Sequence, residues 1–189
     1  MLLVAPTHLD AAALLAFELE NRAFFEASIN ARPAGYYCLD GVQASISSAM
    51  ADAMVDRGYQ FLLRDEEGTI LGRANLSAVK RAHFHSAVLG YRIGQAYCGK
   101  GCASEAVRQL LGIAFGKLRL ARIEADCRID NEASKRVLLR NGFVQFGHSR
   151  RSFELGGEWY DRLHFECHAA KADMLIASQN SLSRNPSAP

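Results

Sequence analysis

A strand that runs without a break into a glycine-bracketed lysine, and from there into an amphipathic helix, leaves a chain few ways to fold. Here that segment is "SAVLGYRIGQAYCGKGCASEAVRQLLGIAFG", Ser86 to Gly116. Ala103, Ala106, Val107, Leu110, Leu111, Ala114 and Phe115 share one helical face, which predicts a helix from about Cys102 to Lys117. The period then changes. In "ARIEADCRI" the apolar Ile123, Ala125 and Cys127 alternate, as in a strand. "DNEASKRVLLRNGF" follows, with a helix start at Asp130 or Asn131 and a stop at Gly142, the residue expected to turn left-handed beyond the last helical turn.

The flanks extend this strand–helix–strand–helix centre. A short strand at Leu2 to Ala5 precedes "THLD", which has capping-box spacing and opens a first helix ending near Asn21 to Phe24. Pro33 and Gly35 mark "INARPAGYY" as a loop. Asp40 is placed to cap a second helix carrying Val42, Ile46, Ala49, Met50 and Ala53. A hairpin is expected next, with strands at Gly58 to Arg64 and Thr69 to Ser77, and the chain ends in two strands joined across "LGGE". With 189 residues, 49% of them apolar, one core is affordable, so the expectation is a single α/β or α+β domain with a mixed sheet over residues 1–170. The Ser/Asn/Pro-rich residues 171–189 are expected to form a disordered tail.

Charge excludes some partners. Twenty-two basic and twenty acidic residues are interspersed, giving +2, which gives no reason to expect nucleic acid or an anionic membrane as the partner. The start "MLLVAPTHLD" lacks a basic region and is not read as a secretory signal, and no apolar run is long enough to span a bilayer. Five irregularly spaced cysteines suit free thiols in a reducing compartment, so a cytoplasmic location is expected. Cys98 and Cys102 have no histidines or further cysteines at ligand spacing, and no metal is expected. Monomer and homodimer are both left open.

The glycines suggest what the central turn could hold. A helix leaves its first amides unpaired and its dipole favours negative charge there. Gly99 and Gly101, flanking Lys100, would let a pyrophosphate approach those amides closely. A two-glycine loop that merely turns tightly is the alternative. The spacing matches neither a Walker loop nor a dinucleotide fingerprint.

Three pieces taken in order are more specific: a strand leading into "YCGKGCASEAV", then "RIEADCRIDNEASKRVLLRNGF", then "GEWYD". Together the pieces resemble the GNAT acetyltransferase superfamily and, within it, the Rim-type (RimJ/RimL-like) ribosomal-protein alanine N-acetyltransferases. The likeness runs from Leu2 to Cys167 and is strongest from Leu89 to Asp161. It implies about seven strands with a splayed central parallel pair, flanked by about four helices. Acetyl-CoA would enter the splay, its pantetheine arm on the backbone of Tyr91, Arg92 and Ile93 and its pyrophosphate on the amides of Cys98, Gly99, Lys100, Gly101, Cys102 and Ala103. Asn131 would bond to the pantetheine arm, and Lys135 or Arg136 would reach a nucleotide phosphate. Two positions depart from the superfamily pattern: Ala96 replaces the usual Gln or Arg, with Gln95 one place earlier, and Leu138 stands where many members carry a proton-donating tyrosine.

The implied reaction is direct attack of an amine on the thioester, which needs a neutral nucleophile, oxyanion donors, a proton donor for the thiolate and alignment. Ser134 matches the serine thought to protonate the thiolate in Rim-type enzymes; from its sequence position alone it could equally be a plain helix hydroxyl, and Asn131 a plain cap. The resemblance makes Glu154 the first candidate base, since a related glutamate has that role in part of the branch, with a one-residue slip putting Phe153 there instead; Glu158 and His148 are alternatives. Trp159 and Asp161 are expected to fix the last hairpin. The implied acceptor is a protein N-terminal amine. A small-molecule amine (polyamine, amino acid or antibiotic) and a non-catalytic acyl-CoA-binding module are the rival readings.

Overall fold

The backbone changes period where the sequence does, and the structure, a computed structural model, describes residues 1–169. Seven strands form one sheet in the order β1 (Leu2–Val4), β2 (Tyr59–Arg64), β3 (Ile70–Lys80), β4 (Ser86–Ile93), β5 (Arg122–Arg128), β7 (Glu158–His168), β6 (Val144–Leu155). Every neighbouring pair is antiparallel except β4 and β5, the two strands joined through the glycine turn and the helix α4 (Cys102–Gly112). A parallel pair needs such a crossover, whereas the antiparallel pairs β2–β3 and β6–β7 close through short turns. The polar segment Asp65–Thr69 makes the first of these turns, and Gly156 and Gly157, both at positive φ, make the second.

Both faces of the sheet are covered. Leu62 and Leu63, adjacent in β2, are fully buried on opposite sides. Leu63 joins the larger core under α4, with Val107, Leu110, Ile123 and Phe165. Leu62 joins a second core under α1 (Ala11–Glu20) and α3 (Leu39–Met54), with Leu14, Phe17, Val42 and Ile46. The helix α5 (Glu132–Arg140) packs beside α4, with Leu138 fully buried. Burying a Leu side chain stabilises by roughly 1.5–3 kcal/mol, so these two cores supply the main favourable term.

Several boundaries differ from the sequence expectation for local reasons. The first helix stops at Asn21, whose side-chain oxygen accepts from the Gln95 amide at 2.8 Å while its Nδ2 donates to the Phe17 carbonyl at 2.9 Å. A second short helix, α2 (Arg22–Glu26), follows the interruption. Cys38, not Asp40, caps α3: its sulfur accepts from the Gly41 amide at 3.4 Å, and Asp40 sits in the first turn. The helical run after Cys102 does reach Lys117, but its last turn from Ile113 widens, Leu118 N donating to Ile113 O at 2.9 Å. The expected tail, residues 171–189, lies outside the described residues.

Candidate active site

The parallel pair is the origin of the site. β4 and β5 are paired only at Ser86–Val88 with Arg122–Glu124. Beyond that each follows its outer neighbour: β4 stays on β3 as far as Ile93 opposite Gly72, and β5 stays on β7 as far as Arg128 opposite Arg162. The two strands therefore part. Backbone groups of a strand point alternately to its two sides, so every second amide of Leu89–Ile93 faces the gap and has no strand to pair with. A cleft of about 780 Å³ opens there, bounded at one end by the start of α4.

The turn into α4 is held in shape by its glycines. Gly94 N donates to Leu71 O at 2.9 Å, the last anchor to β3. Gly99 (φ 75°) and Gly101 (φ 82°) lie in the left-handed region that a side chain disfavours. Nothing stands within 4 Å of where their Cβ atoms would be, so the turn presents open backbone. Gly101 is the residue before α4 and offers no capping side chain, which leaves the first-turn amides free for an anion. Cys98, Gly99, Gly101, Cys102 and Ala103 line the cleft; Lys100 does not, and its Nζ lies 5.8 Å from the Tyr97 ring centre.

The wall formed by α5 carries the predicted hydroxyl. Asn131 caps the helix, its Oδ1 accepting from Ser134 N at 3.0 Å. Ser134 Oγ in turn lies 2.9 Å from the phenolic oxygen of Tyr91, which reaches across from β4. Burial pushes the Tyr91 phenol up to about 12, the Ser134 bond pulling the other way. Cys127, on the same side of β5, is also raised by burial. Asn131, Ser134 and Arg136 all line the cleft, as do Tyr91, Arg92 and Ile93.

The opposite wall is built from side chains far apart in sequence. Phe24, Phe25 and the segment Ser28–Asn30 close it from above, Asn75 comes from β3, and Asp126, Arg162 and Phe153 come from β5, β7 and β6. Asp126 and Arg162 form an ion pair. Arg92 NH2 bonds to Glu18 Oε1 at 2.6 Å, and Arg73 NH1 bonds to the same oxygen at 2.6 Å. Glu18 is 1% exposed and is the single carboxylate in these bonds. Burial lowers Arg92 to about 10, opposed by Glu18 and reinforced by Arg73 and Arg32.

Not every predicted residue is brought together. Glu154 is exposed, pairs with Trp159 and does not line the cleft; its neighbour Phe153 does, because successive side chains of a strand take opposite faces. His148 is tied up with Asp161, Nε2 to Oδ2 at 2.7 Å, and Asp161 also accepts from Arg151 N at 2.9 Å. Glu158 is exposed beside the turn. Nothing in the motifs singles out Asp126 or the Tyr91 side chain. The signal for Asp126 was present: the alternation that buries Ile123, Ala125 and Cys127 turns Glu124, Asp126 and Arg128 to the other face. Among the described residues no group of three or more His, Cys, Asp or Glu is placed to hold a metal ion, and no helix is long and apolar enough to cross a membrane.

Comparison with known proteins agrees with this geometry. Residues 1–144 match the acetyltransferase (GNAT) domain family. The probable N-acetyltransferase YjcK of Bacillus subtilis (strain 168) is 33% identical over 153 residues, covering 80% of this chain and 84% of that protein. The [ribosomal protein uS5]-alanine N-acetyltransferase of Escherichia coli (strain K12) is 31% identical over 155 residues, covering 82% and 80%. Mycobacterium smegmatis RimJ, solved in complex with CoA-disulfide, superposes with a TM-score of 0.83 at 26% identity, covering 94% of this chain and 88% of that one. The parted strands, the open glycine turn and these relatives make one conclusion: the chain belongs to the GNAT family of acetyl-CoA-dependent acetyltransferases, close to its RimJ/RimL-type members.

Proposed function

We propose that the chain acetylates the α-amine at the N-terminus of a polypeptide, by direct attack on acetyl-CoA. The observation that carries the choice of acceptor is the charge of the cleft. Among the described residues lining it, the side chains charged at neutral pH are Arg92, Arg128, Arg136, Arg140 and Arg162 against the lone carboxylate Asp126. Arg92, Arg128 and Arg162 are paired with Glu18, Asp130 and Asp126, so the acceptor end offers no surplus of carboxylates to hold a polycation, and a single amine at the end of a peptide asks for none. The relative from Escherichia coli, named for an alanine of ribosomal protein uS5, supports the same choice.

Acetyl-CoA supplies an acyl group activated as a thioester. The residues present fit it, since unpaired amides line the parted strand and an uncapped helix start with open glycines closes one end. On this reading the Leu89–Ile93 amides that face the gap are the donors available to a carbonyl oxygen, and those from Gly99 to Ala103 hold the pyrophosphate. Arg136 and Arg140 lie along the same cleft for a further phosphate. Asn131 fixes the backbone at Ser134, and Ser134 supplies the proton that the departing thiolate needs. An α-amine has an ordinary pKa of about 7.7–8.0, so its deprotonation asks little of the protein near neutral pH. Asp126, the lining carboxylate, is the side chain that can draw that proton through water, and Glu154 stands outside the cleft.

Thiol release from acetyl-CoA, measured against a set of N-terminal peptides and a set of small amines that includes spermidine, tests the proposal. Release with peptides and none with spermidine is expected. Release with small amines alone would overturn the acceptor, and tight binding of acetyl-CoA without release over both sets would make the chain a binding module.

A further inference from the structure

Tyr91 keeps the alternation of its strand and so puts a hydroxyl on the face that carries Ala87, Leu89 and Ile93. Its neighbours Gly90 and Arg92 face the α1–α2 side, where Gly90 abuts Asn75 and Arg92 meets Glu18. Tyr91 faces α5, its ring packed against the larger core and its hydroxyl 2.9 Å from Ser134 Oγ and 3.5 Å from the Ser134 carbonyl oxygen. Both residues line the cleft, so the pair of hydroxyls lies on the wall of the parted strands. We infer that Tyr91 is a positioning residue for acetyl transfer: its O–H donates to Ser134 Oγ and so directs the single Ser134 proton into the cleft.

A serine on a helix has a freely turning hydroxyl, and its usual partner is the carbonyl one turn back, which would take the proton out of the cleft. With the phenol as the donor, the 2.9 Å contact occupies one lone pair of Oγ and favours the rotamers in which the serine proton points away from the phenol. The phenol is suited to this because burial keeps it protonated, with a pKa of about 12, far above any working pH. Cys127, the thiol on the same wall, is raised by burial while a hydrogen bond with Ser134 pulls the other way, which makes it a second and weaker partner for the serine hydroxyl. In the step itself the carbon–sulfur bond breaks as the carbon–nitrogen bond is complete, the sulfur takes the Ser134 proton, and Ser134 is reprotonated from solvent by the proton the amine gave up. Tyr91 loses no proton in the cycle.

This inference rests on the reading of Ser134 given above, and the test separates the two. Tyr91→Phe removes one oxygen and keeps the buried ring. Losing a neutral hydrogen bond of about 0.5–1.5 kcal/mol predicts a kcat lower by roughly three- to tenfold, with the KM for acetyl-CoA unchanged. In a Ser134→Ala background the same change is expected to cost nothing further, because there is no serine proton left to direct. The pH profile of Tyr91→Phe should parallel that of the wild type up to about pH 10, since a phenol near 12 does not titrate there. Thermal midpoints of the variants, together with acetyl-CoA affinity, report any general loss of packing. An unchanged kcat, or an equal loss in both backgrounds, would overturn the inference. If Ser134→Ala turns over like the wild type, the assignment of Ser134 fails, and if the wild type itself is inactive on every amine, the proposed function fails before Tyr91 is tested.

Discussion

The two walls of the cleft are made of different material. The wall that faces α4 and α5 is mostly backbone, with unpaired amides on β4, two left-handed glycines, a bare helix start and one asparagine cap, and the Tyr91 and Ser134 hydroxyls are set on it. The wall that faces α2 consists of side chains from five separate elements, tied by ion pairs such as Arg92 and Arg73 on Glu18 and Arg162 on Asp126. A backbone wall is fixed by local sequence and tolerates changes in most side chains. A side-chain wall depends on long-range partners and should fail when one partner is removed.

The largest expected effect therefore falls on the side-chain wall, at a residue that does not line the cleft. Glu18→Ala leaves two buried guanidinium groups without their carboxylate and should destabilise the fold by about 3–5 kcal/mol, read from the denaturant midpoint. On the backbone wall, Gly101→Ala meets no clash, but it forces a side chain into the left-handed region at a cost of about 1–2 kcal/mol. If the turn relaxes to escape that cost, the first-turn amides swing away, and acetyl-CoA affinity measured by calorimetry should fall about tenfold while kcat at saturation is kept. Equal loss of affinity in Glu18→Ala and Gly101→Ala at matched stability would erase the distinction between the walls. Two carboxylates give the smallest and most selective effect. Asp126→Asn should lower kcat/KM by about tenfold, less than the hundredfold or more expected of a dedicated base, whereas Glu154→Gln on its exposed face should change it by less than about twofold. The reverse ranking would restore Glu154 as the base.

The same contrast decides what could be read from the sequence. The glycine turn, the Asn131 cap and the left-handed Gly142 all follow from residues within a few positions of one another, whereas the splayed parallel pair is implied by the family resemblance. Ser134 lies one helical turn beyond Asn131, but only the resemblance to Rim-type enzymes distinguishes it from an ordinary helix hydroxyl. The acceptor wall has no such local signature: Phe24, Asn75, Asp126, Phe153 and Arg162 meet only because of the strand order and the face each residue takes. Glu154 shows the difficulty. In a strand one position decides the face, and the pairing of β6 with β7 shifts register between Ser149 and Phe153, so counting along the sequence could not fix which of Phe153 and Glu154 turns inward. The break of the first helix at Asn21 was equally hidden, since it depends on the Gln95 amide, 74 residues away.

Amide hydrogen exchange with and without acetyl-CoA would decide whether the parted strands are the binding place. The thioester lying between β4 and β5 predicts slowed exchange at Leu89–Ile93 and at the amides from Gly99 to Ala103, with no change at the β6–β7 turn around Gly156. Protection absent from both segments under saturating acetyl-CoA, or confined to other strands, would contradict it.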